Sequence, residues 1–106
     1  SETYFLPVLQ AGGAGTITAT GNITASKCVE VFKAFQNGLK DIQNLQDELS
    51  NDRALLQKAC ASVGFSSGLK IILSSLIGDD QWKICRPPFG KITEDKVREV
   101  TEIFNS

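Results

Sequence analysis

The sequence predicts part of an α/β fold. One β-branched segment bounded by glycines, Ala14–Thr20, predicts a single strand, and the segments around it show helical spacing of apolar residues. A lone strand cannot satisfy its own backbone groups, so it either pairs with another chain or belongs to a larger α/β unit. The second interpretation is favoured, because a strand followed by a capped helix is the repeating unit of α/β folds.

Helices are predicted on both sides of the strand. Ser1–Ala11 predicts a short helix in which Ser1 is the cap. The helix after the strand begins at Thr24 or Ser26 and ends near Asn37, because Gly38 is a typical C-terminal stop. Three more helices are expected over about Lys40–Val63, Gly68–Ile77 and from a Thr93 cap to the last residues, with extended or turning chain at Arg86–Gly90.

The end of the predicted strand is a candidate ligand site. Alternation places Ile17 and Ala19 on one face of the strand, and Thr18 and Thr20 on the other. Ligands of α/β proteins bind at the carboxyl ends of strands, where these residues are expected. From the residues alone, two interpretations of Thr18 stay open: an ordinary strand threonine or part of that site.

The glycine-rich stretch before the strand does not match a phosphate-binding loop. Gly13 and Gly15 have the first spacing of a dinucleotide fingerprint, but Thr18 stands where the third glycine belongs, and no P-loop lysine follows. These glycines also precede a strand instead of a helix. We therefore interpret them as a tight turn between helix and strand.

The amino-acid composition argues against several classes of function. The net charge is −1, which gives no electrostatic signature of nucleic-acid or anionic-membrane binding. Histidine is absent, and the three cysteines are far apart, so neither a metal site nor a disulfide framework is predicted. Free cysteines fit a reducing compartment, and a cytoplasmic location is expected.

Four motifs in fixed order carry a resemblance to a known family. The segments "LQAGGAGTITATGNI", "FQNG…LQDEL", "GLKIIL" and "CRPPFG" resemble the C-terminal third of the dihydrodipicolinate synthase / N-acetylneuraminate lyase family, over about Ser1 to Asn105. The resemblance implies an eight-stranded (β/α)8 TIM barrel followed by helices. It assigns residues 1–38 to the end of the barrel, with "GTITAT" as the eighth strand, and residues 39–106 to a mostly α-helical C-terminal extension.

The resemblance also implies a function. These enzymes are Schiff-base aldolases or lyases that make or break a carbon–carbon bond with pyruvate or another 2-oxo acid. They need no cofactor, because a lysine of the barrel forms the imine. The implied partners are the small 2-oxo acid, the remainder of the barrel on the same polypeptide or a companion chain, and further copies in a homo-oligomer, a tetramer in the family. A non-catalytic helical interaction or oligomerisation module is the alternative.

Four positions match substrate-contacting positions of the family one by one, and Thr18 joins them as a substrate-binding candidate through its place at the strand end. Ile17 matches the strand-eight isoleucine whose backbone lies beside the pyruvate-derived skeleton. Ala19 replaces a serine that touches sugar-like substrates in the neuraminate branch. Glu2 and Thr3 match an acidic pair that binds substrate hydroxyls there, but only Glu2 keeps the acid, so the subclass stays open.

No catalytic residue is expected within this chain. The family's Schiff-base lysine and catalytic tyrosine lie on earlier strands, and neither Lys70 nor Tyr4 matches them. Lys70 is flanked by apolar residues, and a lysine running along a helix surface is favoured over a reactive amine. The chain is therefore predicted to supply one wall of an active site.

Overall fold

The computed structural model describes residues 1–106 and contains helices but no β-strand. Two compact units divide the chain, Ser1–Ala54 and Leu55–Ser106. Short 3-10 turns cover Glu2–Tyr4 and Asp80–Lys83. The α-helices are α1 (Phe5–Gln10), α2 (Gly21–Gln36), α3 (Ile42–Cys60), α4 (Phe65–Ile77) and α5 (Glu94–Phe104).

The predicted strand is wrong. Residues 13–18 have no regular secondary structure, a turn follows at Thr20, and α2 begins at Gly21. The β-branched residues give this segment strand propensity, but a strand also requires neighbouring backbone to accept and donate hydrogen bonds. No such neighbour lies within the chain. The barrel predicted from the resemblance is accordingly not seen here, whereas the mostly helical character is confirmed.

The first unit is built around the N-terminal helix. Its buried apolar cluster joins α1, α2 and α3, and consists of Phe5, Leu6, Leu9, Val31 and Leu49. Pro7 falls in the first turn of α1, where its missing N–H has no intrahelical partner to lose. The predicted N-terminal helix is thus confirmed as a 3-10 turn followed by α1, although Ser1 makes no side-chain capping bond.

The helix after the predicted strand begins earlier than expected. Thr24 was one of the two predicted caps, but it lies inside α2, and its buried hydroxyl donates to the carboxylate of Glu2. The predicted stop is confirmed, since Gly38 follows the helix with a φ of 63°. Helix α3 runs without a break from Ile42 to Cys60, within the bounds predicted for it.

The second unit packs α4 against α5. Helix α4 buries Leu69, Ile71 and Ile72, while α5 buries Val100. Gly68 also lies in α4, and a Cβ at this position would stand 2.7 Å from the Cβ of Cys60 and 3.0 Å from its Cα. The absence of a side chain at this glycine is therefore what permits α4 to approach the end of α3.

The ends of α4 and α5 agree with the sequence. Gly78 adopts the left-handed conformation after α4, with a φ of 76°. The hydroxyl of Thr93 accepts the backbone N–H of Lys96 and caps α5. The Arg86–Gly90 segment is non-helical, as its prolines predict.

The three cysteines and the longest apolar helices bear on covalent links and on membranes. None of Cys28, Cys60 and Cys85 forms a disulfide. No single helix is long and apolar enough to cross a membrane, and the one combination that meets these criteria, α3 with α4, is sharply bent at its break. No cluster of three or more metal-ligating side chains occurs.

Candidate functional site

A buried carboxylate lies at the centre of the first unit's polar residues. Glu2 is 0% exposed, and its Oε1 atom accepts hydrogen bonds from three threonine hydroxyls. Thr18 donates at 2.7 Å, Thr24 donates at 3.0 Å, and Thr20 donates as well. A charged group at this depth is tolerated only when it is paired and hydrogen-bonded, and the three hydroxyls meet that requirement at one oxygen.

The other carboxylate oxygen faces a cation. Nε of Arg53, on α3, lies 3.4 Å from Oε2 of Glu2. This distance makes an ion pair, but Oε2 has no partner with hydrogen-bond geometry. The stabilisation at Oε2 is therefore electrostatic, while the directional bonds are all at Oε1.

The surroundings of Glu2 keep it ionised. Burial alone raises its pKa, but the hydroxyls of Thr20, Thr18 and Thr24 and a backbone hydrogen bond together lower the pKa below the ordinary value of 4.5. At neutral pH the group is therefore an acceptor of hydrogen bonds. It is not a general acid, which would need a raised pKa.

The threonines also lie close to one another. The hydroxyl oxygens of Thr18 and Thr20 are 2.9 Å apart, and that of Thr24 lies 3.2 Å from the backbone carbonyl of Thr20. Each hydroxyl has a single proton, which it donates to Glu2, so these distances are polar contacts within the cluster. Thr18 belongs to the irregular segment, Thr20 to the turn, and Thr24 to α2. This network fixes the path by which the irregular segment enters α2.

Gln46 joins the start of the chain to α3. Its Oε1 accepts the backbone N–H of Leu6 at 2.8 Å, and its Nε2 donates to the backbone carbonyl of Glu2 and to the hydroxyl of Ser50, each at 2.9 Å. The first N–H groups of a helix have no partner within it, so Gln46 satisfies one that α1 leaves open. Glu2 is thus held through its backbone as well as its side chain.

Cys28 lies close to this network but is not activated by it. Its Sγ atom is 3.8 Å from the hydroxyl of Thr24. Burial raises the pKa of the Cys28 thiol, the contact with the Thr24 hydroxyl opposes that shift, and the negative charge of Glu2 adds to it. A nucleophilic cysteine needs the opposite shift.

The five predicted site residues fall into two groups. Glu2 and Thr18 are brought together by the hydrogen bond described above. Ile17, Thr3 and Ala19 are exposed, and the side chain of Ile17 has the full accessibility of a free residue, at 102%. Lys70 and Tyr4 were not expected to be catalytic. Lys70 donates from Nζ to the backbone carbonyl of Ile84 at 3.0 Å, and Tyr4 is 65% exposed.

Sequence reasoning missed most partners of Glu2. Thr20 was assigned to a strand face and Thr24 to a cap, and the helix predicted over about Lys40–Val63 did not single out Gln46 or Arg53. The one feature of the sequence that could have indicated the cluster is Glu2 near the N-terminus followed by threonines at alternate positions from Thr16 to Thr20. Nothing in the spacing indicates that α3 supplies the remaining two groups, because that proximity is created by packing.

The chain belongs to a family of lyases and synthases. The family that matches is the Dihydrodipicolinate synthetase family, and it matches over residues 1–106. The resemblance drawn from the four motifs is therefore confirmed. An enzyme of the lyase or synthase kind is supported at the level of the family.

Two curated relatives are similar to this chain. One is a 4-hydroxy-tetrahydrodipicolinate synthase of Gluconacetobacter diazotrophicus, 32% identical over 97 residues, which are 89% of this chain and 30% of the relative. The other is an uncharacterised DapA-like lyase of Pyrococcus horikoshii, 29% identical over 107 aligned positions, covering 98% of this chain and 35% of the relative. The chain spans about a third of the length of these proteins. No solved structure matches it significantly.

Proposed function

We propose that this chain forms the C-terminal portion of a Schiff-base aldolase or lyase that makes or breaks a carbon–carbon bond with pyruvate or another 2-oxo acid. Residues outside these 106 supply the imine-forming lysine and the catalytic tyrosine, and no cofactor takes part. The chain contributes one wall of the active site through Ile17, Thr18 and Ala19, together with Glu2 and Thr3 at its start. Family membership is the basis of the reaction class.

The conformation and exposure of the irregular segment, residues 13–18, support its proposed role as a wall of the active site. Residues 13–18 have strand-forming composition and no strand partner, and Ile17 is fully exposed. The segment is nevertheless fixed at its end by the Thr18 hydroxyl on Glu2. A fixed, exposed and unpaired segment has the properties expected of a strand whose partners belong to the rest of a barrel. The unpaired segment calls for a barrel remainder as its partner. The homo-oligomer follows from the resemblance and the cytoplasmic location from the unpaired cysteines, and both belong to the proposal.

A hybrid enzyme tests this proposal. Residues 1–106 replace the segment with which they align in the Gluconacetobacter synthase, and the hybrid is treated with pyruvate and borohydride. We expect intact mass spectrometry to show one reduced pyruvate adduct on the hybrid and none on the 106-residue chain treated identically. A folded hybrid without the adduct contradicts the proposal. An adduct on a lysine of residues 1–106 contradicts the assignment of roles.

The alternative, a helical interaction module, makes a different prediction. The exposed apolar side chains of Leu76, Ile77 and Ile84 favour a role in association. A module would unfold cooperatively as an isolated monomer and form no imine in any context. Analytical ultracentrifugation of the 106-residue chain, combined with its urea unfolding curve, distinguishes the two.

A further inference from the structure

The second unit contains a cavity of about 350 Å³ beside α5. Residues 83–85, residues 90–92 and Val97 form its walls, and all of them belong to the second unit. The cavity is therefore defined by contacts within one compact part of the chain. Its volume falls within the range of pockets that hold small molecules, which begins near about 300 Å³.

The wall formed by residues 83–85 is held against α4 by two side chains of that helix. Nζ of Lys70 donates to the backbone carbonyl of Ile84 at 3.0 Å. The hydroxyl of Ser67 lies 3.7 Å from Sγ of Cys85. Small-molecule sites are usually formed before the ligand binds, and these two contacts give the cavity a preformed wall.

The lining of the cavity is mainly apolar. Ile84, Ile92 and Val97 supply aliphatic side chains, and Ile84 is 71% exposed. Apolar surface that faces water in a concave space is stabilised when a hydrocarbon group covers it, because water is released from both surfaces. The lining therefore favours a ligand that carries an aliphatic group.

Two lysines give the cavity positive charge. Lys83 and Lys91 border it, and no acidic side chain does. Lys83 pairs with Asp80 at 2.9 Å, but the Asp80 side chain is 91% exposed, so this pair is weak and occupies one of three ammonium protons. Lys91 forms no ion pair within the chain. Donors for an anion therefore remain on both lysines.

The charge around the cavity matches a monoanion. The two ammonium groups and the Asp80 carboxylate together leave a net charge of +1. A carboxylate carries one negative charge, whereas a phosphate monoester carries about −1.5 to −2 at neutral pH. A carboxylate also accepts strong, charge-assisted hydrogen bonds from ammonium groups. Charge complementarity therefore favours a carboxylate as the polar group of the ligand.

We propose that this cavity binds a small aliphatic carboxylate, whose hydrocarbon chain lies against Ile84, Ile92 and Val97 and whose carboxylate is bound by Lys83 and Lys91. The apolar lining and the two ammonium groups complement the two parts of such a molecule. The inference does not rest on the proposed function, because none of these five residues is assigned to the active-site wall.

The test compares hexanoate with its uncharged isostere hexanamide and with acetate, which lacks the chain. Each probe is titrated into the 106-residue chain and into the hybrid enzyme, and binding is followed by methyl NMR. We expect saturable binding of hexanoate, roughly 10-fold or more tighter than that of hexanamide, because a hydrogen bond to a charged group is lost in the amide. Acetate should not saturate at the same concentrations, since most of the apolar contact is missing.

The same titration locates the site. The methyl signals of Ile84, Ile92 and Val97 should shift with hexanoate, and the shifts should give one common dissociation constant. Val31, which is buried in the first unit, is the internal reference and should not shift. Equal shifts in both units would indicate general association of the probe with apolar side chains and would contradict the proposal.

A double variant separates charge recognition from a structural role of the lysines. Lys83→Met combined with Lys91→Met removes both charges and keeps apolar stems of similar length. We expect this variant to bind hexanamide as the wild type does and to bind hexanoate no more tightly than hexanamide. Lys58→Met removes an exposed lysine at the end of α3 that does not border the cavity, and it should keep the wild-type ratio.

Three outcomes overturn the inference. The first is the absence of saturable hexanoate binding in both proteins. The second is equal affinity of the wild type for hexanoate and hexanamide. The third is a double variant that still prefers hexanoate, which would place the carboxylate away from the two lysines. None of these results bears on the pyruvate adduct of the hybrid, so the inference and the proposed function fail independently.

Discussion

The side chain of Gln46 caps the backbone of Leu6, forty positions earlier in the sequence, through a 2.8 Å hydrogen bond from the Leu6 N–H to Oε1. The same side chain donates to the carbonyl of Glu2 at 2.9 Å. A single amide on α3 thus serves both as a helix cap for α1 and as a support for the buried carboxylate. Gln46 is itself buried, so its loss leaves backbone groups with no access to water.

Replacing Gln46 is expected to destabilise the first unit. Gln46→Leu keeps a similar volume but leaves the Leu6 N–H without its side-chain acceptor, at about 1–3 kcal/mol for a buried group. The Glu2 carbonyl loses one donor and keeps the backbone N–H of Phe5. We expect the free energy of unfolding, measured by urea titration, to fall by about 1–3 kcal/mol. Gln43→Leu is the matched control, since Gln43 is exposed on the same helix and bonds only Asp47. Equal losses in the two variants would contradict the role of Gln46.

The hydroxyl of Thr24 is expected to stabilise the fold through the Glu2 carboxylate. Thr24→Val keeps the shape of the side chain and removes the hydrogen bond to Oε1, a bond to a charged group worth about 1.5–3 kcal/mol. Thr101→Val in α5 removes a hydroxyl that bonds only the carbonyl of Val97, four residues earlier. The difference between the two losses of unfolding free energy reports the bond to Glu2. No difference would contradict that assignment.

Stability is expected to depend on pH through Glu2. Its pKa in the folded protein is below the ordinary 4.5, so the unfolded chain binds a proton first as the pH falls. The stabilisation from Glu2 is therefore complete above about pH 4.5 and is lost as the pH falls through the folded pKa. We expect the urea midpoint of the wild type to drop more steeply between pH 6 and pH 3 than that of Glu2→Gln. Glu102→Gln should keep the wild-type slope, and a Glu2→Gln curve parallel to the wild type would refute the prediction.

Gly68 is expected to tolerate no side chain. In Gly68→Ala the new Cβ meets the Sγ, Cβ and Cα atoms of Cys60, and relief requires displacement of backbone as well as side chain. Overpacking of this kind costs about 1–3 kcal/mol, which exceeds the gain of up to about 1 kcal/mol from replacing glycine in a helix. Thermal unfolding should show a lower Tm. Gly90→Ala, which meets no atom within 4 Å, is the control and should leave the Tm close to the wild-type value.

The helices were predictable because local signals determine them. The Thr93 cap, the glycine stops at Gly38 and Gly78, and the apolar spacing of α4 are encoded within a few residues of each element. The strand was mispredicted because its propensity is local but its hydrogen-bond partners are not. Ala14–Thr20 has the composition of a strand, and its conformation depends on backbone that these residues do not contain.

The site was predictable only in outline. Glu2 was identified through the resemblance and Thr18 through its place at the end of the predicted strand, and the structure joins them directly. The contribution of Gln46 and Arg53 depends on how α3 packs against the N-terminal residues, and no periodicity in α3 distinguishes these two positions from its other polar ones. An acid and a threonine-rich segment were visible in the sequence, but the burial of the acid was not. Which groups neutralise and support it was decided by tertiary contacts.

The convergence of Thr18, Thr20 and Thr24 on one carboxylate oxygen has a consequence for how these positions evolve. Loss of the acid alone leaves three buried or half-buried hydroxyls without their acceptor, and loss of the hydroxyls alone leaves a buried charge without its donors. Single substitutions at any of these residues are therefore disfavoured. The four positions are therefore expected to change as a group among related chains. Relatives that carry an apolar residue in place of Glu2 should also carry valine or alanine in place of the threonines.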